Sequence, residues 1–189
     1  LCIIAVVALW TGRQMQWEAG WIVPFERFAQ PFRMPDFFLL SGLFVGAVLH
    51  RPWRSYLDTK VVHFAYFLVL WTLIIVPIAW LGGTQRPATA QAVLAELAVK
   101  MFYKPEAMLW FILMLPVFFV VTRLLQKVSP LLVLNAAAVL AMLKLHTGVY
   151  PLDWFAKYFV FFYTGHVLSG AVLALAQAAP RKPALAVAA

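Results

Sequence analysis

Of the 189 residues, 65% are hydrophobic and 12% are charged, and the net charge is +8. Soluble domains average roughly 45–50% apolar and about 25% charged residues, so this composition excludes a soluble globular protein. The cations are spread over short segments between apolar runs, which argues against a nucleic-acid partner and favours membrane topology signals. Cys2 is the only cysteine, so we expect neither a disulfide framework nor a cysteine-based metal site.

The apolar segments predict an all-α fold, a polytopic bundle of about six transmembrane helices. In chain order the segments are residues 1–11, 36–50, 61–81, 107–125, 131–146 and 154–176. The first is shorter than the roughly 20 residues that a helix needs to cross a bilayer core. We therefore expect one transmembrane domain over residues 1–189, a fragment that begins inside its first span and ends as another begins.

The linkers between the segments alternate in charge. Residues 51–60, 123–129 and 181–182 each carry a net +2, whereas the linkers between them carry +1, +1 and zero. Because cations collect on the cytoplasmic side of membrane proteins, residues 51–60 and 123–129 are predicted to be cytoplasmic. Residues 82–106 are predicted to face the other side.

Residues 89–104 have a different pattern from the transmembrane segments. Apolar side chains recur there at helical spacing, opposite a polar face of Glu96, Lys100 and Lys104. This pattern predicts an amphipathic helix, either at the outer interface of the membrane or packed on the bundle.

Two polar features stand out in the second segment. Ser41 and Gly42 suit a close helix–helix contact, because glycine permits close approach and serine can hydrogen-bond across it; ordinary packing is the alternative. Asp36 follows Pro35, which predicts a helix N-terminus capped by the carboxylate. A carboxylate at a membrane mouth can also orient a base.

Four residues near the predicted inner face, called here the basic cluster, are Arg51, Arg54, Lys60 and His63. Guanidinium groups pair bidentately with phosphate oxygens, so the cluster suits a phosphorylated ligand. Topology anchoring and lipid headgroup contact are the alternative. His166 lies deep in the sixth segment, where a histidine is expected to face the protein interior or a polar cavity, either hydrogen-bonded or catalytic.

Three stretches together resemble a known family. "FFLLSGLF", the following basic "RPWRSYLDTKVVHFAYFLVLW", and "LWFILMLPVFFVV" are similar to the acyltransferase 3 family. Its members are bacterial inner-membrane proteins that move acyl groups, commonly from acyl-CoA, onto carbohydrates and other exported acceptors.

The resemblance assigns expected roles to several positions. It implies that Ser41 and Gly42, with the preceding Phe37 and Phe38, carry the family's second-span signature. Lys60 and His63 fall where the family usually has a basic pair associated with acyl-CoA, and Trp110 falls in its L-W-F element.

Position 10 departs from the family pattern. The family's first span usually carries an arginine and, further on, a histidine regarded as the catalytic base. "LCIIAVVALWTG" resembles the stretch that ends in that histidine, yet residue 10 is Trp10. An indole offers only an N–H donor and takes no proton from a hydroxyl. Three explanations stay open: this copy is inactive, another group such as His166 replaces the base, or the alignment is displaced.

The resulting hypothesis is a multi-pass acyltransferase of the bacterial inner membrane. It moves an acetyl- or succinyl-like group from acyl-CoA, its co-substrate, to a hydroxyl of a carbohydrate, glucan or other exported acceptor. Membrane lipids are the other expected partner, and no separate cofactor is expected. The alternatives are a transporter or exporter-like bundle without chemistry and an inactive family member. The candidate catalytic positions are His166 and Trp10, and the candidate substrate-binding residues are Asp36, Ser41, Gly42, Arg51, Arg54, Lys60, His63 and Trp110.

Overall fold

The computed structural model describes residues 22–81, 87, 89–105 and 109–178. Within these ranges the chain is all-α, as the sequence predicts, and no strand is present. The first apolar segment, including Trp10, lies outside the described residues, as do residues 181–182.

Six helices make up the described part of the chain. They are α1 Ile22–Leu43, α2 Trp53–Leu81 with a π-helical turn at Asp58–Val62, α3 Ala90–Ala98 continued by a π-helical turn at Val99–Tyr103, α4 Leu109–Leu124, α5 Pro130–Met142 and α6 Tyr150–Ala178. Three helical segments among them are long and apolar enough to cross a membrane: Trp53–Leu81, Leu109–Lys127 and Tyr150–Gln177. The apolar part of α1, Met34–Leu43, and α5 are shorter.

Aromatic contacts fix the relative directions of α4 and α6. Trp110 in the first turn of α4 lies 5.3 Å from Trp154, near the start of α6. Further along both helices, the rings of Phe119 and Phe162 are 5.2 Å apart. The two helices therefore run in the same direction.

The directions of α1, α2 and α5 follow from their positions relative to this pair. In α1, Phe38 packs on Tyr158 at 5.3 Å and the later Gly42 contacts Phe162, so α1 runs parallel to α6. α2 starts beside the end of α4, and α5 returns to the start of α6 through a short connection, so both run the opposite way. This alternation agrees with the predicted order of spans, whose number stays a prediction.

Two glycines allow α1 and α6 to pack backbone against backbone. A Cβ added to Gly42 would lie 2.0 Å from the carbonyl oxygen of Phe162, and one added to Gly165 would lie 2.1 Å from that of Leu39. Only glycine fits at either contact. The expected hydrogen bond from Ser41 across this interface is not formed. The hydroxyl of Ser41 donates instead to the carbonyl of Phe37 in its own helix, at 2.8 Å.

Two predictions about the second segment are wrong. Asp36 does not begin a helix, because α1 begins at Ile22 and continues through Pro35. A membrane-embedded backbone favours an unbroken helix, which outweighs the local Pro-Asp start signal. The segment also does not stay helical to residue 50, since α1 ends at Leu43 and turns follow.

Candidate functional site

Arg123, at the end of α4, holds the linker between α1 and α2. Its side chain is only 7% exposed. One guanidinium nitrogen donates to the carbonyl of Leu49 and the other to the carbonyl of Arg51, at 2.6 Å for the latter. In a continuous helix such carbonyls would accept from backbone N–H groups, whereas here, at the end of the turns that follow α1, they accept from Arg123.

Two aromatic rings, together with the two carbonyls, form a cage around the guanidinium of Arg123. The guanidinium carbon lies 4.8 Å from the ring centre of Trp53 and 4.7 Å from that of Tyr56. Tyr56 is fully buried, and its hydroxyl donates back to the carbonyl of Phe119 at 2.8 Å. The end of α4 is thus bound both by a donor on α2, the hydroxyl of Tyr56, and through its own donor, Arg123, which bonds the linker.

The basic cluster lies on this fastened linker and on the first turns of α2. Arg51, Arg54 and His63 are exposed, and Lys60 is half-buried with its ammonium 4.7 Å above the ring of Phe119. The four residues of the cluster therefore lie at one end of the bundle. Among the described residues, neither Arg51 nor Arg54 forms an ion pair with a carboxylate, so their N–H donors are available to an anion.

His166 lies on α6 beside the α1 contact. The backbone nitrogen of His166 would be 3.1 Å from a Cβ placed on Gly42, so this histidine and the second-span signature are neighbours. Its Nδ1 is buried, and no described residue offers it a hydrogen-bond partner. Buried polar atoms without a partner are few in native proteins, which marks His166 as a functional candidate.

Trp110 and Asp36 do not lie with the basic cluster. Trp110 is at the first turn of α4 in an aromatic group with Phe38, Trp154 and Tyr158. The 16 residues of α4 place Trp110 roughly 20 Å from Arg123 at a rise of about 1.5 Å per residue. Asp36 is exposed on α1 and makes no described hydrogen bond.

The sequence analysis did not predict that Arg123 binds the linker, because its charge was counted only as a topology signal. The available signal was position: a cation directly after an apolar helical run is expensive to bury and is kept where it has partners. The aromatic pair that receives it, Trp53 and Tyr56, lies within the basic stretch that the sequence had already singled out.

The fold defines a class: a helical integral-membrane protein with a cationic end built around a buried arginine. The chain belongs to the acyltransferase 3 family, because the family profile for this acyltransferase domain matches residues 1–188. No significant match was found among curated proteins or among solved structures. Membership confirms the resemblance and supports membrane acyltransferase activity in general.

Proposed function

We propose that the protein transfers an acyl group from acyl-CoA to a hydroxyl of an exported carbohydrate or similar acceptor, and that the basic cluster binds the CoA phosphates. The observation that carries the proposal is the pair of exposed arginines, Arg51 at the end of the linker that a buried arginine holds and Arg54 in the first turn of α2. A backbone held in one position loses little conformational freedom when the side chains it carries bind phosphate, and each guanidinium can pair bidentately with phosphate oxygens.

Lys60 supports the same assignment. It lies in the π-helical turn Asp58–Val62 of α2, and such turns inside α-helices are frequent at functional sites. Its ammonium lies over the ring of Phe119 in a cation–π contact and is only partly exposed, and a partly desolvated cation attracts a phosphate more strongly than one in water.

The proposed chemistry needs a base for the acceptor hydroxyl. As the base takes the proton, the hydroxyl oxygen attacks the thioester carbonyl, an ester forms, and the C–S bond breaks to release CoA as a thiolate. The base then returns its proton to the leaving sulfur. His166 is the candidate base within the described residues, because its Nδ1 is unpartnered and it lies beside the family's second-span signature.

A transfer assay with purified full-length protein tests the proposal. Radiolabelled acetyl-CoA and succinyl-CoA are supplied with a polysaccharide acceptor, and both free thiol and labelled ester are measured. We expect thiol release coupled to ester formation. Arg54→Ala and Lys60→Ala should each raise the KM for acyl-CoA roughly tenfold, because a charge-assisted contact contributes about 1.5–3 kcal/mol.

Lys127→Ala is the matched control. Lys127 is exposed in the turn Leu125–Lys127 that follows α4, at the same end of the bundle as the cluster but outside it. Its KM should stay unchanged. Unchanged acyl-CoA affinity in an Arg54→Ala, Lys60→Ala double variant would show that the cluster does not bind CoA and serves to anchor the membrane topology. Substrate movement without thiol release would favour a transporter-like bundle instead.

A further inference from the structure

A pocket of about 500 Å³ lies between the end of α5 and the start of α6. This volume falls within the range that small ligands occupy in proteins. Its lining is mixed, with aliphatic and aromatic walls below a polar rim. The rim residues are Lys144, His146, Asp153 and Lys157, and the aromatic residues are Tyr150 and Trp154.

The rim carries a net positive charge, because it has two lysines and one carboxylate. Asp153 is the one carboxylate in the lining, and it already accepts hydrogen bonds from both the backbone N–H and the hydroxyl of Thr147, each at 2.9 Å. Neither Lys144 nor Lys157 pairs with a carboxylate in the part of the chain that the structure describes, although the ammonium of Lys157 lies 5.0 Å from the ring centre of Tyr158. A ligand with a negative group would supply the missing partner.

The loop that forms the rim is held in an uncommon shape. Lys144 has a φ of 45°, which a non-glycine residue seldom adopts and which is found preferentially at functional sites. The turn that follows α3 holds this loop, because the hydroxyl of Tyr103 donates a hydrogen bond to the carbonyl of Gly148. The ammonium of Lys104 also lies 5.9 Å from the ring centre of Tyr150.

His146 contributes a hydrogen-bond acceptor to the rim. Its Nδ1 contacts the carbonyl oxygen of Lys144, and a carbonyl can only accept, so Nδ1 carries the proton and donates. In the neutral ring Nε2 is then left as an acceptor. A hydroxyl group of a ligand is the natural donor to such a nitrogen.

We propose that this pocket binds an amphipathic anion whose headgroup carries hydroxyls, in chemical class a glycolipid with an acidic sugar. The two lysines take the negative group, His146 accepts from a sugar hydroxyl, and the aliphatic and aromatic walls take the apolar part. The pocket adjoins Trp110 through Trp154, at the opposite end of α4 from Arg123. Its reading as the site that holds the acceptor's headgroup rests on the proposed function, but binding of the ligand does not. The reacting hydroxyl would then have to reach His166, about 18 Å from Trp154 along α6 at a rise of about 1.5 Å per residue.

The test is calorimetric titration of full-length protein in phosphatidylcholine nanodiscs with three octyl probes. Octyl glucuronide has the tail, the hydroxyls and the charge; octyl glucoside lacks the charge; octyl sulfate lacks the sugar. We expect saturable binding of the glucuronide, with the glucoside and the sulfate each weaker by about tenfold. Acyl-CoA is absent, so a failure here is separate from a failure of the proposed function.

Variants assign the effect to the rim. Lys144→Gln with Lys157→Gln should weaken glucuronide binding by tenfold or more, whereas Lys127→Gln, far from the pocket, should leave it unchanged. His146→Ala should weaken the glucuronide but not the sulfate. All replaced side chains are exposed, and an unchanged melting temperature verifies folding. Equal binding of sulfate and glucuronide, or glucuronide binding that survives the double lysine change, overturns the proposal.

Discussion

At the scale of single residues, Arg123 does most to shape the candidate site. Burying a guanidinium is costly unless its donors are used, and two of its nitrogens donate to linker carbonyls while two aromatic faces cover it. Its Nε has no partner among the described residues. The planar fork explains why an arginine is found here, because a lysine cannot donate to both carbonyls with the same geometry.

Arg123→Lys should therefore weaken acyl-CoA binding without removing the charge. The linker carbonyls of Leu49 and Arg51 lose a matched donor, so Arg51 and Arg54 are no longer presented in one orientation. We expect the KM for acyl-CoA to rise severalfold while kcat changes little, together with a loss of about 1–3 kcal/mol in stability. Steady-state kinetics and thermal unfolding in detergent measure the two effects.

Tyr56→Phe is the companion to that variant. It removes the hydrogen bond to the carbonyl of Phe119 but keeps the ring that covers Arg123. A smaller stability loss, about 1 kcal/mol, and an unchanged KM are expected. If Arg123→Lys lowers stability and leaves the KM unchanged, Arg123 has no part in positioning the basic cluster.

Trp10 gives a second prediction at this scale. The family's catalytic histidine corresponds to this position by resemblance, and positioned base catalysis contributes roughly 10²–10⁴-fold. The wild-type protein should then transfer acyl groups slowly, and Trp10→His should raise kcat in the transfer assay. Robust wild-type activity that survives Trp10→Ala but disappears in His166→Ala would instead place the base on α6.

At the scale of helices, the contact between α1 and α6 is the closest in the described part of the chain. Gly42 and Gly165 place the two backbones in direct contact, with fully buried Phe38 and Phe162 packed beside them. This contact holds the second-span signature against His166. It also gives the Ser-Gly pair of the sequence a physical role that does not depend on catalysis.

Substituting these glycines should destabilise the bundle. In Gly42→Ala and Gly165→Ala the new methyl group would meet a backbone carbonyl at about 2 Å, so the helices must separate. We expect each to cost about 1–3 kcal/mol, the range for overpacking, measured by thermal unfolding. Gly170→Ala is the matched control on α6, because a Cβ there meets nothing within 4 Å and alanine favours a helix by about 1 kcal/mol. A stability loss in Gly170→Ala equal to that in Gly42→Ala would contradict the packing account.

How far the sequence predicts these features depends on whether their cause is local. Long apolar runs predict α2, α4 and α6 well, because hydrophobic length is a property of the segment itself. The apolar run to residue 50 did not reveal that α1 ends at Leu43 and that turns follow. The partner of the linker carbonyls was not predictable either, since it is a side chain of α4, distant in sequence. The basic residues of the cluster lie within one short stretch of the sequence, so the sequence itself shows them as a group. The cage around Arg123 and the proximity of Gly42 to His166 were not predicted, because each joins segments that are distant in the sequence.

At the scale of the whole molecule, the helix directions and the linker charges agree. α1, α4 and α6 run one way and α2 and α5 the other, so the linker with Arg51 and the end of α4 with Arg123 lie at one end of the bundle. These are the segments that carry the higher positive charge. The α5–α6 pocket and α3 lie at the other end, where Tyr103 contacts Gly148. Under the proposed function, the CoA phosphates and the acceptor's headgroup are therefore held at opposite ends of the bundle.

This arrangement predicts which face of the membrane each end occupies. In a Cys2→Ser background, which removes the only cysteine, single cysteines are placed at two exposed positions, Ser55 in α2 and Gln91 in α3. An impermeant maleimide added to intact cells should modify Gln91→Cys and leave Ser55→Cys unmodified, because cations favour the cytoplasmic side. After the cells are permeabilised, both should react, which shows that Ser55→Cys is accessible to the reagent. Labelling of Ser55→Cys alone in intact cells would invert the topology and place the basic cluster outside, where cytoplasmic acyl-CoA cannot reach it.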